Sequence, residues 1–174
     1  MTDIMHCGQK TLKFTVLGTA VPQKRPRFSF KSHKAYEPKE SKDYKSNVNA
    51  MATIAIQEQH WNICHREMPV EVCLTIYRSI PSGMPQWKKR AAVYGYIPPL
   101  KKNADIDNIA KLVLDAMTGV VYEDDCQVFK LNCESKYSEQ PRVEVEIIAY
   151  FTNVGEIKEK INLMKKMEDK GKRN

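Results

Sequence analysis

The chain has 174 residues, a net charge of +7, a sequence pI of about 9.1 and 42% hydrophobic residues. That length suits one domain with an appendage, and the excess of cations favours a polyanionic partner while saying nothing of the fold. The five cysteines include no C-x-x-C pair, which argues against a disulfide framework or a zinc ribbon, and no apolar run reaches the roughly 18 residues of a spanning helix. The opening MTDIMHCGQK lacks a basic start followed by an apolar stretch, so no secretory leader is expected. A soluble cytoplasmic protein with reduced thiols and no membrane role is the expectation.

Residues 11–18, TLKFTVLG, alternate Leu12, Phe14 and Val16 against Thr11, Lys13 and Thr15, which predicts a half-buried strand. A basic segment follows, with Lys24, Arg25, Arg27, Lys31, Lys34 and Lys39. Pro22, Pro26 and Pro38 exclude a helix there and leave a loop with room for a short hairpin. From Ser41, read as the N-cap, Tyr44, Val48, Met51 and Ile54 or Ala55 recur at helical spacing to about His60. VEVCLTIYRS (70–79) alternates again, with Val70, Val72, Leu74 and Ile76 inward. The long connection 79–104 has room for a short helix from Gln86 to Val93.

DNIAKLVLDAMTG (107–119) places Ile109, Leu112, Val113, Ala116 and Met117 on one helix face, with Asp107 at the N-cap position and Gly119 just past the end. VFKLNCESKY and RVEVEIIAYF then read as two strands paired antiparallel across a polar turn. A basic helix with Ile157, Ile161 and Met164 on one stripe closes the chain. The order predicts an α+β fold: a single domain with a mixed, mostly antiparallel sheet and helices packed on it. The expected division is a flexible 1–10, a domain over 11–151 and a basic helical tail over 152–174.

The acids gather around that third helix. Asp105 and Asp107 stand one residue apart before it, and Glu123-Asp124-Asp125 follows it. In extended chain, residues two apart point the same way. The helix spans roughly 16 Å, and six extended residues cover about 20 Å. A segment running back along the helix would bring Asp124 or Asp125 to its N-terminus. Three carboxylates held together repel, and a divalent ion relieves this far better than a helix dipole does. Oxygen-only ligands favour Mg²⁺ or Mn²⁺, an ion that activates water and stabilises charge on a phosphodiester. Lys111, one turn past Asp107, would pair with Asp107 or reach a phosphate. The plainer readings are a helix cap for Asp107, a structural partner for Asp115, a solvated E-D-D turn, and an i,i+4 salt bridge for Lys111. An EF-hand is excluded by Ile109, Ala110 and Ala116 at positions that need Asp or Asn, Gly and Glu.

D-I-D-N-I-A-K (105–111), L-D-A-M-T-G-V-V-Y (114–122) and E-D-D-x-Q (123–127) together resemble the signature of the RusA family of Holliday-junction resolvases. P-Q-K-R-P-R-F (22–28), R-S-I-P-S-G-M-P-Q-W-K-K-R (78–90) and P-R-V-E-V-E-I (141–147) extend the resemblance over about 11–151. It implies a homodimeric, Mg²⁺-dependent endonuclease of bacteria and prophages, with Mn²⁺ as a substitute ion and no small-molecule cofactor. It implies that Asp105, Asp107 and Asp125 hold the metal and that Lys111 is the fourth catalytic residue. Its expected partner is branched DNA, resolved at four-way junctions by paired nicks in recombination and repair. Ala104 stands where relatives often carry Pro.

Lys24, Arg25 and Arg27, with Lys88, Lys89, Arg90, Lys101 and Lys102, are the expected phosphate contacts flanking the acidic centre. Such contacts position DNA without reading sequence. Phe28, Phe30, Tyr36, Trp87 and Tyr94 are candidates for stacking on unpaired bases. The competing reading is a non-catalytic nucleic-acid-binding accessory protein whose acidic knot is structural.

Overall fold

The computed structural model describes residues 8–29, 33–100, 105–151 and 154–171. Its frame is a four-stranded sheet, ordered β1-β6-β4-β5, built from β1 (Gly8–Leu17), β4 (Val70–Ser79), β5 (Val128–Ser138) and β6 (Arg142–Phe151). A small hairpin of β2 (Arg27–Ser29) and β3 (Lys34–Tyr36) follows β1. Four helices complete the chain: α1 (Lys39–Glu58), α2 (Gln86–Val93), α3 (Ile106–Met117) and α4 (Val154–Gly171).

Alternation along the strands sets the core. Leu12, Ile147 and Val72 lie side by side across the sheet, as do Phe14, Val145 and Leu74, and then Val16, Val143 and Ile76. All nine are buried, and α1 and α3 pack with them through Tyr44, Val48, Ala52 and Ala55 on one helix and Ile109, Leu112, Val113 and Met117 on the other. Truncating a residue such as Leu74 to Ala would cost about 2–5 kcal/mol. The other sheet face is polar: Lys13 pairs with Glu146 at 2.8 Å, and Tyr77 Oη donates to Glu144 at 3.1 Å.

The α+β class and the mixed sheet are as expected; one pairing is not. β5 and β6 do not form a hairpin. β4 lies between them, antiparallel to β6 and parallel to β5. Alternation fixes which face a strand buries but is blind to its neighbour. Helix starts also differ. α1 is capped at Pro38, and Ser41 lies buried inside it, its Oγ accepting from Lys24 N–H at 3.3 Å. No described helix is long and apolar enough to cross a membrane.

Candidate active site

α3 begins two residues earlier than its sequence suggests. Asp105 is the N-cap, with extended backbone (φ −63°, ψ 136°), yet its side chain makes no capping hydrogen bond. Asp107 therefore lies in the first turn, where its charge still opposes the positive end of the helix dipole. Lys111 follows one turn on. Asp105, Asp107 and Lys111 are all exposed. Among the described residues their side chains make no hydrogen bond or ion pair, so Asp107 and Lys111 do not form the i,i+4 bridge. The loop leaving β1 reaches the same turn: Gln23 N–H donates to Asn108 O at 3.0 Å. Gln23 Oε1 is buried there without a hydrogen-bond partner.

The far end of α3 closes differently from the expected extended return. Gly119, at φ +77°, lets the chain turn tightly, and its N–H donates to Tyr122 O at 2.7 Å. Tyr122 is fully buried, and its Oη donates to Leu114 O at 3.0 Å. Burial raises the Tyr122 hydroxyl pKa well above its usual range, helped by the nearby carboxylates of Asp125 and Asp115. The Tyr122 hydroxyl, bonded to Leu114 about two helical turns past Asp107, thus has both Asp115 and Asp125 near it. Among the described residues, no three of His, Cys, Asp and Glu come close enough to hold a metal ion. No such three-acid cluster stands at the N-terminus of α3 among the described residues.

Asp125 opens a single 3₁₀ turn, Asp125–Gln127. Asp124 caps it: its Oδ1 accepts from Cys126 N–H at 3.0 Å, and its own N–H donates to Gln127 Oε1 at 3.0 Å. The Cys126 N–H holds the Asp124 carboxyl below its usual range. Arg66 lies 3.6 Å from the same carboxylate, and Glu123 pairs with His65 at 3.2 Å. Asp115 is held by Lys45 at 3.2 Å, and Lys45 also meets Glu37 at 3.0 Å. Burial works against the Lys45 ammonium, but Glu37 and Asp115 outweigh it and raise its pKa.

The acids around α3 therefore fall into two sets. Asp115, Glu123 and Asp124 are engaged. Asp105, Asp107 and Asp125 are exposed and have no ion-pair partner among the described residues. Of the expected phosphate contacts, Lys24 is paired with Glu40. Arg25, Arg27, Lys88 and Arg90 are exposed, and Lys89 is half-buried. Lys101, Lys102 and Phe30 lie outside the described residues.

A family model described as endodeoxyribonuclease RusA matches residues 18–148, a span that takes in both acidic motifs and the basic segments. The chain belongs to the RusA endodeoxyribonuclease family. It is also 39% identical over 140 residues to a Bacillus subtilis (strain 168) protein called "Uncharacterized protein YqaN", covering 78% of this chain and 94% of that one. The RusA match ends before α4 begins.

Within this RusA-family domain, Gln127 has a role that reading the sequence for charge does not reveal. It is buried, and its Nε2 donates to the carbonyls of Cys64 (3.2 Å), His65 (2.7 Å) and Met68 (3.1 Å). The signal was present in the Asp124-x-x-Gln127 spacing, which is that of a capping box.

Proposed function

We infer that the protein is a structure-selective endonuclease that nicks four-way DNA junctions in a Mg²⁺-dependent reaction, acting as a homodimer in recombination and repair. Asp105, Asp107 and Asp125 are its metal-binding carboxylates and Lys111 its fourth catalytic residue. One observation carries this reading. Among the described residues, the acids that match the family motif are the ones left exposed and without an ion pair, while the acids beside them are engaged in pairs and caps.

The donor set suits the ion. It is all oxygen, and Mg²⁺ commonly takes one or two carboxylates plus water and substrate phosphate, so Asp105 and Asp107 are a sufficient first pair. When bound, the ion supplies an activated water and stabilises charge on the phosphodiester. The remaining work falls to the protein's own side chains. Lys111, one turn from Asp107 and without an ion pair among the described residues, meets the scissile phosphate as a point charge. Arg25, Arg27, Lys88, Lys89 and Arg90 hold flanking phosphates and orient the strand without reading it. Lys101 and Lys102 are proposed for the same work. Gln127 keeps the turn carrying Asp125 fixed.

The spread of the three carboxylates favours a second reading, a nucleic-acid-binding accessory protein without catalysis. One experiment separates the two. A labelled four-way junction and a linear duplex of matching sequence are incubated with the protein in Mg²⁺ and in EDTA. Paired nicks in the junction alone, abolished by EDTA, are expected. Binding without cleavage in Mg²⁺ would leave only the accessory role.

A further inference from the structure

The connection from β4 to α3 carries a feature that cleavage itself does not use. α2 reads QWKKRAAV, three cations without an acid. It fully buries only Ala92. Around it Trp87 is 65% exposed, Tyr94 76% and Tyr96 81%. Single exposed aromatics are ordinary, but a cluster of them marks an interaction surface.

Between α2, the end of β4 and the turn after β5 lies an open cavity of about 520 Å³. Ile80, Val93 and Tyr94 give it apolar walls. Lys89, Arg90 and Gln86 also line it, and Glu139 is its acid. The size is that of a small-ligand site. The chemistry is narrower: a flat aromatic wall for stacking, two cations for phosphate, and an amide and a carboxylate able to meet the donors and acceptors of a base edge. The cationic helix fits a polyanion and opposes a basic partner.

We propose that this cavity receives an unpaired nucleotide from a DNA branch point, its base on Tyr94 and its phosphate on Lys89 and Arg90, so that α2 distinguishes branched DNA from plain duplex. This rests on the reading of the protein as a branched-DNA nuclease. A base inside a duplex is held by pairing and stacking, whereas an unpaired one is turned out at least cost. The cavity opens at the sheet end where β4 finishes and where the loop after β1 leaves to meet the first turn of α3.

The test uses the full chain in EDTA, so that binding is read without cleavage. A four-way junction with 2-aminopurine at the branch is compared with a linear duplex of the same sequence. Wild-type protein should change the 2-aminopurine fluorescence. Tyr94→Ala should weaken junction binding by about 5- to 150-fold, the range for loss of one stacked base, with duplex affinity unchanged. Tyr94→Phe should retain junction binding. Tyr94 is largely exposed, so its removal leaves the core intact. Unchanged junction affinity in Tyr94→Ala, or an equal loss on duplex, overturns the proposal. If wild type binds junctions in EDTA and cuts them in Mg²⁺ while Tyr94→Ala behaves the same, only this inference falls. If wild type ignores junctions, the nuclease reading falls with it.

Discussion

Gln127 Nε2 donates to the backbone carbonyl of His65 at 2.7 Å, tying the turn that carries Asp125 to the segment leading into β4. The same nitrogen serves the carbonyls of Cys64 and Met68, and Gln127 Oε1 accepts from Asp124 N–H. Replacing it by Ala takes one donor from each of these carbonyls; Cys64 O retains Glu123 N–H and His65 O retains Met68 N–H, while Met68 O loses the only donor it has among the described residues. Gln127→Ala should lose about 1–3 kcal/mol, seen as a fall of about 2–12 °C in the midpoint of thermal unfolding. It should also weaken junction cleavage, because Asp125 loses its fixed turn. A variant as stable as wild type would remove Gln127 from this role.

Asp107 and Asp115 lie on one helix, one without a partner among the described residues and the other held by Lys45. The same substitution should therefore have opposite effects. Asp107→Asn should retain the fold and junction binding and lower Mg²⁺-dependent cleavage by at least about 100-fold, since even outer partners of metal ligands cost 10–100-fold. Asp115→Asn should cost up to about 1 kcal/mol in stability and leave cleavage near wild type. Measured side by side, equal cleavage by the two variants would refute the division of the acids.

Among the described residues Lys111 has no ion pair to lose. Lys111→Ala should leave the stability within about 0.5 kcal/mol of wild type, as for an ordinary surface change. Single-turnover cleavage of bound junction should nonetheless fall sharply. A normal rate would take Lys111 out of the catalytic set.

Glu71 gives the fold an acid-sensitive point. It is buried, and Tyr150 Oη, Asn132 Nδ2 and Lys130 Nζ each lie 2.7 Å from its carboxylate. Burial pushes the carboxyl pKa up, but Lys130 and Tyr150 outweigh burial and hold it below its usual value. Tyr150 in turn is pushed up to about 12, first by that hydrogen bond. A carboxyl lowered in the folded state contributes stability above its unfolded pKa, about 4.3, and loses it as pH falls through the folded value. Glu71→Gln should therefore lose about 1–3 kcal/mol at pH 7, and the gap to wild type should narrow below about pH 4. A gap that stays constant with pH would argue against the assignment.

Among the described residues the core contains none of α4, and the family match stops before it. A chain ending at Phe151 should unfold at nearly the wild-type midpoint and retain junction cleavage. A large fall in either would assign α4 a part in the domain or its active form.

Much of this was legible in the sequence. Strict alternation in 11–17 and 70–79 gave β1 and β4 their buried faces, and the spacing of Ile109, Leu112, Val113, Ala116 and Met117 gave α3 its own. Strand neighbours were not legible, because alternation carries no information about partners. Nor was the state of each acid: Asp115 finds Lys45 from 70 positions away, a contact only the fold creates. The turn at Gly119 was visible, but the burial of Tyr122 and its bond to Leu114 O are announced by no local pattern.

The insertion of β4 between β5 and β6 has a kinetic side. The short 139–141 turn joins two strands that stand about 10 Å apart, two interstrand spacings, and cannot nucleate them as a hairpin. The sheet closes only once residues 70–79 occupy the gap. Its formation thus waits on distant segments meeting, and such dependence on non-local pairing slows folding.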